Sequence, residues 1–242
     1  MKNIYQTAVI TKIENETTKI KNFTLNISLK AKPGQYIMVW IPGINEKPFS
    51  IANDTPLTLS IAKVGLFTEK LHQLKKGDQL TFRGPYGKSF KRKSGQILLA
   101  GGGYGIVPLY FLADSISEKR RKLITVVIGA KTKSDLAFIK KFRKLGCQVK
   151  IATDDGTAGF KGFVPQLVEK IITENKLNAL YTCGPEIMMK KIAEICKKKK
   201  IFCQVSLERF FKCGGFGICG ECSINGKMVC KDGPVFNGNV LA

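Results

Sequence analysis

Gln96-Ile97-Leu98-Leu99-Ala100-Gly101-Gly102-Gly103-Tyr104-Gly105-Ile106-Val107-Pro108 is an apolar run that passes without a linker into a glycine turn and then into a helical pattern. Glycines at a strand-to-helix turn let the backbone approach a pyrophosphate, with the helix N-terminus facing the anion. Gly101, Gly102, Gly103 and Gly105 are therefore candidate nucleotide contacts. The match to G-x-G-x-x-G is incomplete, because Pro108 stands where the last glycine belongs, and a turn tightened only for packing explains the run as well. Its place at the first strand–helix turn of a repeating region favours the ligand reading.

Downstream the rhythm repeats. Strand-like runs at 96–100, 123–128, 148–152, 179–182 and 202–206 alternate with helical patterns at 106–116, 134–144, 164–172 and 186–198. That alternation predicts a doubly wound parallel sheet over residues 94–206. The fourth strand ends in Cys183-Gly184-Pro185, and ligands bind beyond the C-terminal ends of such strands.

Upstream, residues 1–93 read as short strands at 7–13, 19–29, 36–41, 57–62 and 79–82, parted by turns such as Lys32-Pro33-Gly34 and Lys76-Gly77-Asp78. One short helix falls near 67–74. Six or so antiparallel strands and one helix predict a small β-barrel. Two of its segments can hold a flavin. Lys47-Pro48-Phe49-Ser50 ends a strand with a cation, an aromatic ring and a hydroxyl, and Gly65-Leu66-Phe67-Thr68 opens the helix with N–H groups free for a phosphate. An edge strand and an ordinary threonine cap explain both equally well.

The C-terminal residues, 207–242, show neither period. They carry Cys213-Gly214-Gly215-Phe216-Gly217-Ile218-Cys219-Gly220-Glu221-Cys222, with Cys230 following. Four thiolates so spaced can hold a [2Fe–2S] cluster or a tetrahedral zinc. The glycines favour the cluster, whose sulfides need close backbone N–H donors. Only Cys219 and Cys222 form the C-x₂-C hook that zinc sites pair. The run departs from the plant-type C-x₄-C-x₂-C spacing by one residue, which Gly214-Gly215 can absorb as a bulge. Cys147, Cys183, Cys196 and Cys203 are scattered and read as buried core thiols.

A net charge of +22 on 242 residues invites a nucleic-acid reading. The lysines are dispersed, and the one dense run, Lys197-Lys198-Lys199-Lys200, closes a predicted helix where cations favour the dipole. No helix-turn-helix or finger pattern accompanies them. The charge reads as a solvated surface, able to steer an acidic protein partner but not implying nucleic acid. No apolar run approaches the roughly 18 residues of a membrane span, and the N-terminus has no signal-like core. A cytoplasmic protein is expected. Its only histidine, His72, reads as a surface residue, and no nucleophile or paired acid suggests substrate acid–base chemistry.

Taken together, Pro33-Gly34-Gln35-Tyr36, Lys47-Pro48-Phe49-Ser50, Gly65-x-x-Thr68, Gly84-Pro85-Tyr86-Gly87, the glycine run, Cys183-Gly184-Pro185 and the cysteine tail follow the order of the ferredoxin–NADP reductase superfamily. With Asp232-Gly233-Pro234-Val235-Phe236 closing the tail, the whole chain resembles the electron-transfer subunits of B-type dihydroorotate dehydrogenases. The resemblance implies an FAD-binding barrel, an NAD-receiving second unit and one [2Fe–2S] cluster on Cys213, Cys219, Cys222 and Cys230. It implies that Lys47 to Ser50 line the flavin, with Ser50 near its N5 edge. Ser60, Ile61 and Ala62 would lie along the ring by their backbone, while Phe67 and Thr68 donate to the pyrophosphate. Lysine replaces the family's usual arginine at position 47, giving a point charge in place of a bidentate fork.

The implied partner is a catalytic dihydroorotate dehydrogenase subunit in a heterotetramer of two copies of each chain, serving pyrimidine synthesis. The same three modules occur in hydrogenase-linked and transhydrogenase-like flavin subunits, and a zinc-stabilised, non-catalytic nucleotide-binding module is the alternative of another class.

Overall fold

The computed structural model describes residues 4–242; the first three residues of the predicted N-terminal unit lie outside the described residues. Six strands form a closed antiparallel barrel: β1 (Gln6–Asn15), β2 (Ile20–Leu25), β3 (Tyr36–Ile41), β4 (Asn45–Asp54), β5 (Leu57–Ala62) and β6 (Gln79–Tyr86), in the order β1-β2-β5-β4-β3-β6. Helix α1 (Leu66–Gln73) connects β5 to β6. Alternating side chains fill the interior, with Ile10, Phe23, Leu25, Ile37, Val39, Leu59 and Phe82 all buried. Closure leaves no strand edge exposed along most of the barrel.

The second unit strings β7 (Ile97–Gly102), α2 (Ile106–Asp114), α3 (Glu118–Arg121), β8 (Ile124–Ala130), α4 (Ile139–Lys144), β9 (Gln148–Thr153), β10 (Phe160–Lys161), α5 (Val164–Glu174), β11 (Ala179–Cys183), α6 (Glu186–Lys198) and β12 (Phe202–Ser206). The tail adds β13 (Ser223–Ile224), β14 (Lys227–Met228), α7 (Val229–Asp232) and β15 (Val235–Asn237). The sheet order is β10-β9-β8-β7-β11-β12-β15. All its pairings are parallel except the last, where β15 runs antiparallel to β12. Cys147, Cys183, Cys196 and Cys203 are all buried.

Several sequence expectations need correction. Lys47 to Ser50 do not end a strand; they occupy the middle of β4, paired on one side with β3, which aligns Met38 with Pro48. The tail, which shows neither period in sequence, still contributes a strand: β15 completes the sheet, and its three residues are too few to show alternation. The helix expected over 134–144 begins only at Ile139. Phe138 before it is left-handed, with φ 66°, and its N–H is taken by Glu16 Oε1 at 2.7 Å. His72 is half-buried rather than a surface residue, its Nε2 2.8 Å from the Ile61 carbonyl. A carbonyl only accepts, so Nε2–H donates.

Glu16 also joins the two units. Its Oε2 accepts from Asn22 Nδ2 in the barrel and from Lys141 Nζ on α4, both at 2.9 Å. Burial would raise the Glu16 carboxyl, but the bonds from Lys141, Phe138 and Asn22 outweigh it and hold the group below the usual carboxylate range. A depressed folded-state value stabilises the fold above the unfolded value and is lost as pH falls through it. Glu16→Ala should therefore lose about 1–3 kcal/mol of unfolding free energy near pH 7. In denaturant titrations the difference should shrink toward zero below about pH 4; a pH-independent loss would assign the effect to packing instead.

Candidate cofactor and cluster sites

The barrel opens at one seam. Strand β4 pairs with β3 over Asn45 to Ser50 but with β5 only from Ile51 onward. Strand β5 in turn gives Ser60, Ile61 and Ala62 to β2, opposite Asn22, Lys21 and Ile20. Lys47 to Ser50 and Ser60 to Ala62 thus diverge from each other across a wedge in which neither has a ladder partner from the other. Pro48 has no N–H to offer there. Ser60 Oγ is buried without a hydrogen-bond partner, which suits a wedge built to receive a polar planar group.

The residues around the wedge come together. The Phe49 and Phe67 rings stack with centroids 6.1 Å apart and planes 23° from parallel. Thr68 Oγ1 accepts from the N–H groups of Val64 and Gly65, at 2.9 and 3.1 Å, and donates to the Gly65 carbonyl at 2.9 Å. Its hydroxyl is thus engaged in shaping the turn. The N–H groups of Leu66, Phe67 and Thr68, in the first turn of α1, have no acceptor within the helix and remain the donors for an anion. Lys47 Nζ lies 5.0 Å from the centre of the Phe210 ring, so it reaches the tail rather than a free space. The His72 imidazole is held below its usual range by burial and by Lys21 and Lys63, against the Ile61 bond, and stays neutral while bracing β5.

The glycine turn and Cys183-Gly184-Pro185 are pressed together at the C-terminal ends of β7 and β11, where Gly101 aligns with Cys183. A Cβ on Gly105 would fall 2.6 Å from Gly184 N, and one on Gly102 would fall 2.8 Å from Pro185 Cδ. Packing alone therefore requires these two glycines. Gly103 is different, because a Cβ there would meet nothing. It faces a cavity of about 1010 Å³ at the C-terminal ends of the sheet strands, walled also by Ala62, Gly102, Tyr104, Gly184, Pro185 and Glu208. Of the sequence-predicted residues, Ala62, Gly102, Gly103, Gly184 and Pro185 line this cavity. The other wedge residues, and Gly65, Phe67, Thr68, Gly101, Gly105 and Cys183, do not.

Glu208 was missed from the sequence. It directly follows β12 by two residues, so the rule that ligands sit beyond strand C-termini could have found it. Its side chain is solvent-exposed on the cavity wall, yet the mass of protein around the carboxyl pushes it up to about 7. It faces the Tyr104 phenol, which it raises. Arg209 is turned to Glu186 instead.

The four tail cysteines form two pairs. Cys222 Sγ lies 3.4 Å from Cys230 Sγ, and Cys213 shares a hydrogen bond with the Cys219 thiol. Burial would raise Cys213, yet the N–H groups of Ile218, Cys219 and Gly217 and the Cys219 thiol bring it down to about 6. Burial and the neighbouring Cys222 and Cys213 sulfurs push Cys230 up to about 12, while Gly217 N–H also reaches it. One amide therefore serves sulfurs of both pairs. Among the described residues no three metal-ligating groups converge on a single-ion site. Two pairs of sulfurs supplied with backbone N–H donors fit a two-iron cluster better than one tetrahedral zinc.

The tail is seated on the barrel. Tyr36 Oη donates to the Cys230 carbonyl at 2.8 Å, and its ring meets Phe211 edge-on. Lys88 N donates to the Gly233 carbonyl at 2.6 Å. A Cβ on Gly87, itself at φ 83°, would come within 2.5 Å of Pro234 Cδ. The Gly84–Gly87 motif thus receives the tail.

Residues 208–242 match the iron–sulfur cluster binding domain of dihydroorotate dehydrogenase B, and residues 99–194 match the oxidoreductase NAD-binding domain. The probable dihydroorotate dehydrogenase B (NAD(+)) electron transfer subunit of Methanocaldococcus jannaschii is 43% identical over 96% of this chain and 89% of its own. That of Thermococcus kodakarensis is 39% identical over 98% of both. The chain belongs to the dihydroorotate dehydrogenase B electron-transfer subunits. Among solved structures, the NADH-dependent reduced ferredoxin-NADP oxidoreductase, studied for flavin-based electron bifurcation, superposes with a TM-score of 0.84 at 29% identity, covering 100% of this chain and 91% of that one. The FAD/NAD-binding domain of a Vibrio cholerae nitric oxide dioxygenase shares the fold, with a TM-score of 0.71 over 81% of this chain and 94% of that one at 20% identity.

Within this family member, Glu208 gives a direct probe of the cavity. Its raised value means the folded chain keeps a proton that the unfolded chain releases between about pH 4.5 and 7. Ionising it therefore lowers stability as pH rises through that window. In the nucleotide-free protein, Glu208→Gln should melt higher than the parent at pH 8 and match it at pH 4. Equal melting at pH 8 would mean the carboxylate is as well solvated as in the unfolded chain.

Proposed function

We propose that this protein relays electrons from a dihydroorotate-oxidising flavoprotein to NAD⁺ in pyrimidine synthesis. The four cysteines gathered in two pairs, within the tail that matches the family's cluster-binding domain, carry this reading. In it, residues 1–93 form the flavin-binding unit, 94–206 the nicotinamide-nucleotide unit and 207–242 the cluster segment. When bound, the [2Fe–2S] cluster passes single electrons and FAD exchanges both single electrons and hydride, so together they join a two-electron donor to a two-electron acceptor.

The chain's own residues supply binding and exclusion of water. Cys213, Cys219, Cys222 and Cys230 hold the cluster. Ser50, with Lys47, Pro48 and Phe49 on one lip of the wedge and Ser60, Ile61 and Ala62 on the other, flanks the flavin ring. Gly65, Phe67 and Thr68 offer backbone N–H groups to its pyrophosphate, and Lys47 swings from Phe210 to add charge. Gly102, Gly103, Gly184 and Pro185 floor the nucleotide cavity, with Gly101, Gly105 and Cys183 behind them. In this reading dihydroorotate oxidation belongs to the partner, as membership of the electron-transfer-subunit family implies. The tail that carries the exposed Cys219 also exposes Phe210, Phe216 and Ile218. This apolar tail surface is the face we assign to the partner subunit in a heterotetramer of two copies of each. No described helix is long and apolar enough to cross a membrane, and thiols kept for metal suit a reducing compartment, the cytoplasm.

The related ferredoxin-NADP oxidoreductase structure shares this layout, but at 29% identity against 43% for the dihydroorotate dehydrogenase relative. The assignment is tested by Cys222→Ala. The variant should lose its iron and the visible absorbance of the cluster while keeping flavin at the parent's level. Iron content equal to the parent's would remove the tail from the electron path.

A further inference from the structure

One charged side chain of the barrel is almost wholly enclosed, and its partners come from separate parts of the chain. Arg83 on β6 is 2% exposed. It grips both carboxylate oxygens of Glu46 on β4, Nε to Oε1 at 2.7 Å and Nη2 to Oε2 at 2.6 Å. Nη1 donates to Tyr86 Oη at 3.3 Å, and Nη2 also donates to the carbonyl of Gly214, the residue after Cys213. The Phe216 ring covers the guanidinium at 4.4 Å.

A buried ion pair is a poor way to gain stability, since the loss of hydration offsets most of the attraction. Apolar side chains of similar size would fill this space as well. What they could not do is hold a carbonyl of the cysteine loop. The fit is close, because a Cβ on Gly214 would lie 2.9 Å from both Arg83 Nη2 and Glu46 Oε2, and Gly214 is left-handed at φ 66°. The Gly214–Gly215 peptide is trans, so its C=O and N–H point in opposite directions. Anchoring the carbonyl on Arg83 therefore turns the Gly215 N–H away from the ion pair and fixes the loop beside Cys213, whose sulfur takes the N–H groups of Gly217, Ile218 and Cys219. Backbone N–H groups directed at cluster sulfurs stabilise the more negative, reduced state.

We propose that Arg83, locked by Glu46, is a positioning residue of the cluster loop, holding the Gly214–Gly215 peptide in the orientation that favours cluster reduction. The inference rests on the reading of the four cysteines as cluster ligands. Glu46 directly precedes the flavin-binding Lys47, so the same ion pair fixes the loop relative to the wedge.

The test uses the full-length protein, reconstituted anaerobically with iron, sulfide and FAD, and two variants, Arg83→Lys and Gly214→Ala. Lysine keeps the charge but cannot hold Glu46 and the carbonyl together, while alanine lifts the loop off an intact pair. Iron and flavin content are measured first, then the cluster is titrated with reductant under electron paramagnetic resonance. Both variants should keep flavin, with altered spectra and a reduced-to-oxidised ratio about tenfold lower at fixed potential, a downward shift of about 59 mV. Loss of iron with flavin retained would support the same role. Parent-like potentials and spectra in both variants would overturn it. So would loss of iron and flavin together in both, which would make Arg83 a residue of barrel stability. A parent that takes up no iron would overturn the cluster reading itself, and this inference with it.

Discussion

The seam between β4 and β5 is the place where the barrel stops hydrogen-bonding to itself, and the arrangement of the whole chain follows from it. A closed barrel satisfies its backbone everywhere; a strand that meets its second partner only from Ile51 onward does not. The proline at position 48 reduces the number of unpaired donors, and the buried, unpartnered Ser60 hydroxyl marks what the seam lacks. A planar group with polar edges satisfies both lips. The seam also faces the sheet, so Ala62 from its far lip reaches the cavity beyond the glycine turn. A flavin in the wedge and a nucleotide in the cavity would meet there.

The tail places the third centre. It shares a continuous apolar core with the barrel and one face of the sheet, in which Tyr36, Met38 and Tyr86 pack with Phe211, Cys222, Val229, Cys230 and Phe236. Polar contacts then set its register: Tyr36 on the Cys230 carbonyl, Lys88 on Gly233, and β15 against β12. Electron transfer over short distances needs centres held in fixed relation. Here the cluster segment is built into the core rather than tethered to it. The cysteine loop nevertheless leaves Cys219 and its apolar neighbours at the surface, where a second protein can approach.

Local patterns in the sequence carried much of this. Strand and helix periods gave the barrel followed by the alternating unit, and β3, β5, α6 and β12 begin and end where the apolar pattern does. The cysteine spacing with its glycines pointed to a cluster because those residue types have few other uses together. What stayed hidden depends on contacts distant in sequence. Phe138 adopts a left-handed backbone because Glu16, far upstream, binds its N–H. Strand β15 is too short to show alternation and exists through its pairing with β12. Gly87 reads as part of a flavin-reductase motif, yet its close neighbour is Pro234 of the tail. Arg83 has no local signal at all, since its partners Glu46 and Gly214 lie on other elements.

In the proposed relay, the electrons of dihydroorotate enter this chain through a partner protein. The most direct test is anaerobic rapid mixing of the reconstituted protein with dihydroorotate and NAD⁺, alone and with the dihydroorotate-oxidising subunit, while cluster, flavin and NADH absorbance are followed. Alone, the chain should show no bleaching and make no NADH; with the partner, iron–sulfur and flavin absorbance should fall and NADH should appear. Bleaching by dihydroorotate in the isolated chain, or parent-like NADH formation from a complex whose tail carries no iron, would contradict the account.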